Sequence, residues 1–181
     1  FRYAGGDKRH ALDELGFHSE WGDLSGNIAL DAGAPFAASG SLSFLASDAL
    51  KRAKAALAIG GDLSTLILSG DVSAEGARAI GSARLSPFDE RWLRAFEVSA
   101  SEVDLALFDS KIPRTSLSMT ADGASSERGG VRGKLSARNA QPGPLDSKRL
   151  PIPALSSSFE FAAGAATFDA IEASVGSTGR V

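Results

Sequence analysis

The chain has 181 residues, a formal net charge of -3, 43% hydrophobic and 7% aromatic residues, and no cysteine. Its negative balance argues against a nucleic-acid binder, which needs a basic footprint against phosphates. The lack of cysteine excludes disulfides and thiolate metal sites. No apolar run approaches the roughly 20 residues of a membrane-spanning helix.

In chain order, residues 1–16 form a poorly defined lead-in. Within it, residues 7–16 read as a short helix with Leu12 and Leu15 on one side and Gly16 as its stop. From residue 17 to residue 181 a period of two takes over and predicts a single β segment, because successive side chains of a strand point to opposite faces. Leu24-Ser25-Gly26-Asn27-Ile28-Ala29-Leu30 sets the form: apolar residues on alternate positions, with a glycine where one apolar side chain would stand. The same form recurs around Gly40, Gly70, Gly81 and Gly133. A glycine within a strand marks a bulge, a curl or a close approach of another surface.

Residues 17–31 predict one strand, or two broken at Gly22, and 36–46 the next. Residues 47–54 allow a single helical turn with a serine cap. Alternation returns over 55–60, 63–73, 77–86, 94–100 and 103–107, then over 115–121 and 131–139, with a polar hairpin tip at 122–130. Residues 140–153 hold four of the seven prolines and predict an irregular excursion, because proline cannot donate to a sheet ladder. Strands over 155–161 and 166–175 finish the chain. About ten strands joined by short turns predict an antiparallel sheet rather than βαβ units. The fold class expected is all-β: an antiparallel, strongly curled sheet forming an elongated hydrophobic trough, with little helix. Phe1 is not an initiator methionine and the chain stops without a charged tail, so the sequence reads as a section of a longer polypeptide.

Catalytic chemistry finds little support. His10 and His18 are the two histidines, no acidic cluster accompanies them in sequence, and no Gly-x-Ser-x-Gly elbow occurs. Glu102 and Asp104 read as a solvated polar face rather than a glycosidase pair, and Arg132, Lys134 and Arg138 as a solvated basic face. No catalytic residue, metal or cofactor is expected, and the chain is not read as an enzyme.

The apolar parity carries the functional expectation. Leu24, Ile28, Leu30, Leu42, Phe44, Leu57, Ile59, Leu66, Leu68, Val72, Leu85, Phe96, Val98, Leu105, Leu107, Leu117, Met119 and Leu135 are the expected lining. Each gains roughly 1.5–3 kcal/mol on burial, so something must cover them. A closed β-sandwich used for interaction or spacing would do so with its own side chains. A trough would leave the lining to lipid tails.

Residues 93–109 and the run Asn139-Ala140-Gln141-Pro142-Gly143-Pro144-Leu145-Asp146-Ser147-Lys148-Arg149-Leu150-Pro151 resemble the TamB family, AsmA-like proteins that form the inner-membrane component of the bacterial translocation and assembly module. The repeated Ser-Gly strands extend the resemblance over residues 16–175. It implies a periplasmic segment of a parent protein anchored in the inner membrane of a Gram-negative bacterium, with a β-sheet trough called a β-taco. It also implies roles in autotransporter and outer-membrane protein assembly with the barrel TamA, or in phospholipid transfer between membranes. The implied partners are phospholipid acyl chains or nascent β-strands, and TamA through the parent protein. The family supplies no catalytic motif to carry over.

Overall fold

The computed structural model describes residues 1–47, 53–107, 111–127, 129–162, 164–175 and 179–180. Alternation becomes extended chain almost throughout. The strands are β1 (Arg2–Gly5), β2 (Arg9–Ser19), β3 (Gly22–Asp31), β4 (Ala38–Ala46), β5 (Lys54–Gly61), β6 (Leu66–Ala74), β7 (Ala77–Leu85), β8 (Leu93–Val103), β9 (Leu117–Ser125), β10 (Val131–Asn139), β11 (Ala154–Ala162), β12 (Ala165–Val175) and β13 (Gly179–Arg180). Helical structure among the described residues is confined to two three-residue 3-10 turns, Leu105–Leu107 and Leu145–Ser147. The helical turn expected over 47–54 falls largely outside the described residues.

The chain forms two compact units, one of residues 1–75 and 80–96, the other of residues 76–79 and 97–181. In each, strands lie in chain order and pair antiparallel. The all-β antiparallel expectation therefore holds.

In the first unit, cross-strand register fixes which side chains share a face, since directly opposed residues point the same way. Leu24 stands opposite Phe44, Gly26 opposite Leu42, and Ile28 opposite Gly40. Leu42 then stands opposite Leu57, and Gly40 opposite Ile59. Ile59 faces Leu68, Leu57 faces Gly70, and Ala55 faces Val72. The glycines thus sit beside large aliphatic residues. At Gly26 an added Cβ would overlap the Ser41 carbonyl oxygen and lie 2.8 Å from Leu42 Cδ2, so the strands approach closely and a leucine occupies the vacated space. Gly133 in the second unit repeats the device: its Cβ would overlap the Asp122 carbonyl oxygen and lie 2.8 Å from Phe159 Cζ. The strong curl expected from the sequence is not borne out: at Gly26 and Gly133 a neighbour across the ladder fills the space of the missing side chain.

The helix expected over 7–16 is instead β2. Leu12 pairs with Ile28, the register slips between Leu12 and Leu15, and Leu15 pairs with Gly26. Glu14 takes a positive φ of 54° in this bulge. One extra residue returns Leu15 to the face of Leu12, which imitates the three-residue spacing of a helix. β1, pairing Tyr3 with Leu12, was not expected at all. In the second unit, β9 runs on to Ser125 through part of the expected polar tip, so Gly123 pairs with Gly133 and Ala121 with Leu135.

Candidate functional site: the apolar sheet faces

The site is built from residues whose neighbours leave them half covered. In the first unit Leu24, Ile28, Leu30, Leu42, Phe44, Leu57, Ile59, Leu66, Leu68 and Val72 all fall on one face by register. All but Val72, which is exposed, are half-buried. His10, Leu12, Leu15 and Phe17 extend that face across β2, opposite Leu30, Ile28, Gly26 and Leu24. Sequence reading missed these four because the bulge breaks their alternation. The opposite face carries mostly small or polar residues, Ser25, Asn27, Ser39, Ser41, Ser43, Ala56, Ala58, Ser69 and Asp71, with exposed Leu45 and Ile67 as its large apolar members.

In the second unit Leu117, Met119 and Leu135 share a face with Val131, Leu155, Phe159 and Phe161. Phe159 stands opposite Phe168, and both Phe161 and Phe168 remain 51% exposed. These phenylalanines were not singled out from sequence, although Phe159 and Phe161 alternate in a legible strand. A register shift between Ser156 and Ser158, with Ala170 at a φ of 50°, masks the continuation.

Leu85 ends β7 half-buried, Phe96 is half-buried in β8, and Val98 is exposed. Leu105 and Leu107 depart from the expected strand. β8 ends at Val103, where Asp104 Oδ1 accepts the amides of Ala106 (3.1 Å) and Thr115 (3.0 Å), and Thr115 Oγ1 accepts the Leu105 amide (2.9 Å). Captured by these side chains, the backbone tightens into a 3-10 turn. Asp104 is therefore a half-buried fastening and not part of a solvated polar face, whereas Glu102 is exposed.

No large apolar side chain among the described residues is less than 2% exposed, and the buried hydrophobic residues are Ala29, Ala46, Leu93 and Leu117. Full burial of a leucine or isoleucine stabilises by roughly 1.5–3 kcal/mol, so about ten half-covered side chains leave on the order of 10 kcal/mol for whatever covers them. That is as large as the net stability of a typical domain.

Polar chemistry is sparse around these faces. Tyr3 Oη and His10 Nδ1 lie 2.8 Å apart with stacked rings, and exposed His18 Nδ1 meets Asp23 Oδ1 at 2.5 Å. Among the described residues no three His, Asp or Glu side chains are grouped to hold a metal ion, and no helix is long and apolar enough to cross a membrane. The proline-rich run that carries the family resemblance is fastened by Asn139, buried to 4% exposure. Its Oδ1 accepts the amides of Ser116 (3.2 Å) and Gln141 (3.1 Å), and its Nδ2 donates to the Leu150 carbonyl (3.3 Å). No family model, curated protein or solved structure matches the chain.

Proposed function

We propose that the apolar face of each unit is an open surface for apolar cargo, and that the chain is a periplasmic segment of a TamB-like envelope-biogenesis protein. The lining would carry phospholipid acyl chains between membranes, or hold nascent β-strands during autotransporter and outer-membrane protein assembly with TamA. One observation carries the reading: ten lining residues of the first unit share one face, yet among the described residues no large apolar side chain is fully buried. A closed sandwich used as a spacer is the competing reading. Its inner side chains would cover one another, which half-covered faces do not favour. Acyl chains suit an aliphatic lining held together by glycine approaches, because they need no directional partner.

Native mass spectrometry and lipid extraction of the purified chain test this proposal. Co-purifying phospholipid, displaced by a long-chain fluorescent fatty acid, is the expected result. Absence of bound lipid together with absence of probe uptake would favour the spacer. Photocrosslinking from Leu68 in cells, compared with crosslinking from an edge strand, separates lipid from protein cargo.

A further inference from the structure

We propose that one end of the second unit, built from residues 111–116 and 140–153, docks on an anionic phospholipid surface. The backbone holds three cations together there. Arg114 and Arg149 are partners in an isolated parallel bridge, and the Arg114 amide donates to the Lys148 carbonyl at 2.9 Å. A Cβ on Gly143 would lie 2.6 Å from Arg149 Cδ, so the arginine stem rests on the glycine. All three basic side chains are exposed, and among the described residues none makes an ion pair. Exposed Arg138, next to last in β10, adds a fourth cation at the same end.

Among the described residues the carboxylates at this end make no ion pair with the group, so the cationic heads stay free to meet an external anion. Asp104 accepts the Ala106 and Thr115 amides, Asp146 Oδ1 accepts from the Ser147 hydroxyl at 3.4 Å, and Glu102 is exposed near the end of β8. Two aliphatic side chains project among the cations: Leu145, 62% exposed, and Ile112, 39% exposed. Basic residues around exposed aliphatic ones suit a headgroup layer, with charge meeting phosphate and the aliphatic tips entering the acyl boundary. Single-stranded nucleic acid would call for aromatic stacking platforms, and these two loops carry none. With a net charge of -3 the chain as a whole is repelled by an anionic surface, so attraction has to come from a local patch. The proposal rests on the cations and stands whether or not the lining carries cargo.

Vesicle flotation of the purified chain tests the proposal. Binding is expected to vesicles of phosphatidylcholine mixed with about one quarter phosphatidylglycerol, not to phosphatidylcholine alone, and to weaken as salt rises above about 0.1 M. Each cation near such a surface contributes roughly fivefold, so the triple variant Arg114→Gln, Lys148→Gln, Arg149→Gln loses on the order of 100-fold in partition. Arg114→Gln alone, which leaves the Arg149–Gly143 packing intact, loses roughly fivefold. Arg114→Lys with Arg149→Lys retains binding, which separates charge from fold. Leu145→Asp weakens binding at every salt concentration. Arg132→Gln with Lys134→Gln, a pair whose strand neighbours include Glu160 and Asp122, leaves binding unchanged. Equal binding to both vesicle types, a triple variant that floats like the parent, or an equal loss in the Arg132 and Lys134 control would overturn the proposal.

Discussion

The two units reach order by different means. In the first, β2 to β6 follow one another through short connections where the chain is described, and cross-strand pairs of glycine and aliphatic residues fix the register. In the second, long connections join β8 to β9 and β10 to β11, and the polar side chains buried among the described residues, Thr115, Ser126, Asn139 and Ser157, all belong to this unit. Regular alternation needs no side-chain hydrogen bonds because the ladder satisfies its own backbone, whereas an irregular excursion must satisfy buried amides and carbonyls with side chains. Asn139 does this for three backbone groups at once.

The comparison is broken most directly at Asn139. Asn139→Ala leaves the Ser116 and Gln141 amides and the Leu150 carbonyl without their partner, at a cost of about 3 kcal/mol when buried groups go unpaired. Hydrogen exchange should show faster amides at Ser116 and Gln141 while β3 to β5 keep their protection. Equal loss in both units would mean that they do not differ as described. The exposed counterpart Asn27→Ala, which gives up a 3.3 Å contact with Ser41 Oγ, should change stability by no more than about 0.5 kcal/mol.

Gly133→Ala comes next. The new Cβ meets the Asp122 backbone and the Phe159 ring, so overpacking of about 1–3 kcal/mol is expected. A thermal midpoint lowered by several degrees would show it, and an unchanged midpoint would show that the close approach is soft. Asp104→Lys belongs with these structural changes: the sequence marks it as harmless, but the lysine cannot accept the Ala106 and Thr115 amides.

A third variant concerns the lining. Leu68→Asp, half-buried beside Ile59, should reduce fatty-acid uptake by at least about tenfold, since an apolar ligand would have to desolvate the carboxylate. Ser69→Asp, one residue along on the opposite face, should take up the probe like the parent. If both behave alike at equal helix-free circular dichroism, the face is not a binding surface.

The smallest effect lies in the turn after β5. The Ser64 hydroxyl at 2.5 Å, then the Thr65 and Ser64 amides, hold the Asp62 carboxyl below the usual aspartate range. A carboxyl depressed in the folded state contributes stability above its unfolded pKa and loses it as pH falls through the folded value. Urea unfolding followed from neutral pH into that acidic window should therefore show a small loss that Asp62→Asn abolishes.

Legibility in the sequence followed the same division. β3 to β6 and β10 could be read because a period of two ran uninterrupted through Leu24, Ile28, Leu42, Leu57, Leu68 and Leu135, with glycine holding the parity. Where one residue was inserted, as at Glu14 in β2 or around Ala170 in β12, parity reversed midway, and the strand imitated a helix or hid Phe168. Leu105 and Leu107 alternate as convincingly as any strand. Their conformation depends on Asp104 and Thr115 reaching backbone groups on either side of a loop, and no local pattern records such a reach.

The chain-order pairing within the first unit also has a developmental consequence. A strand that needs only its immediate predecessor can be laid down as soon as it is made, so assembly requires little loop closure and contact order stays low. Because one hairpin returns the chain to the same end of the sheet on the same parity, such a sheet lengthens or shortens in pairs of strands without inverting its greasy side. Growth by whole hairpins preserves the surface, while growth by a single strand would reverse the direction of everything that follows.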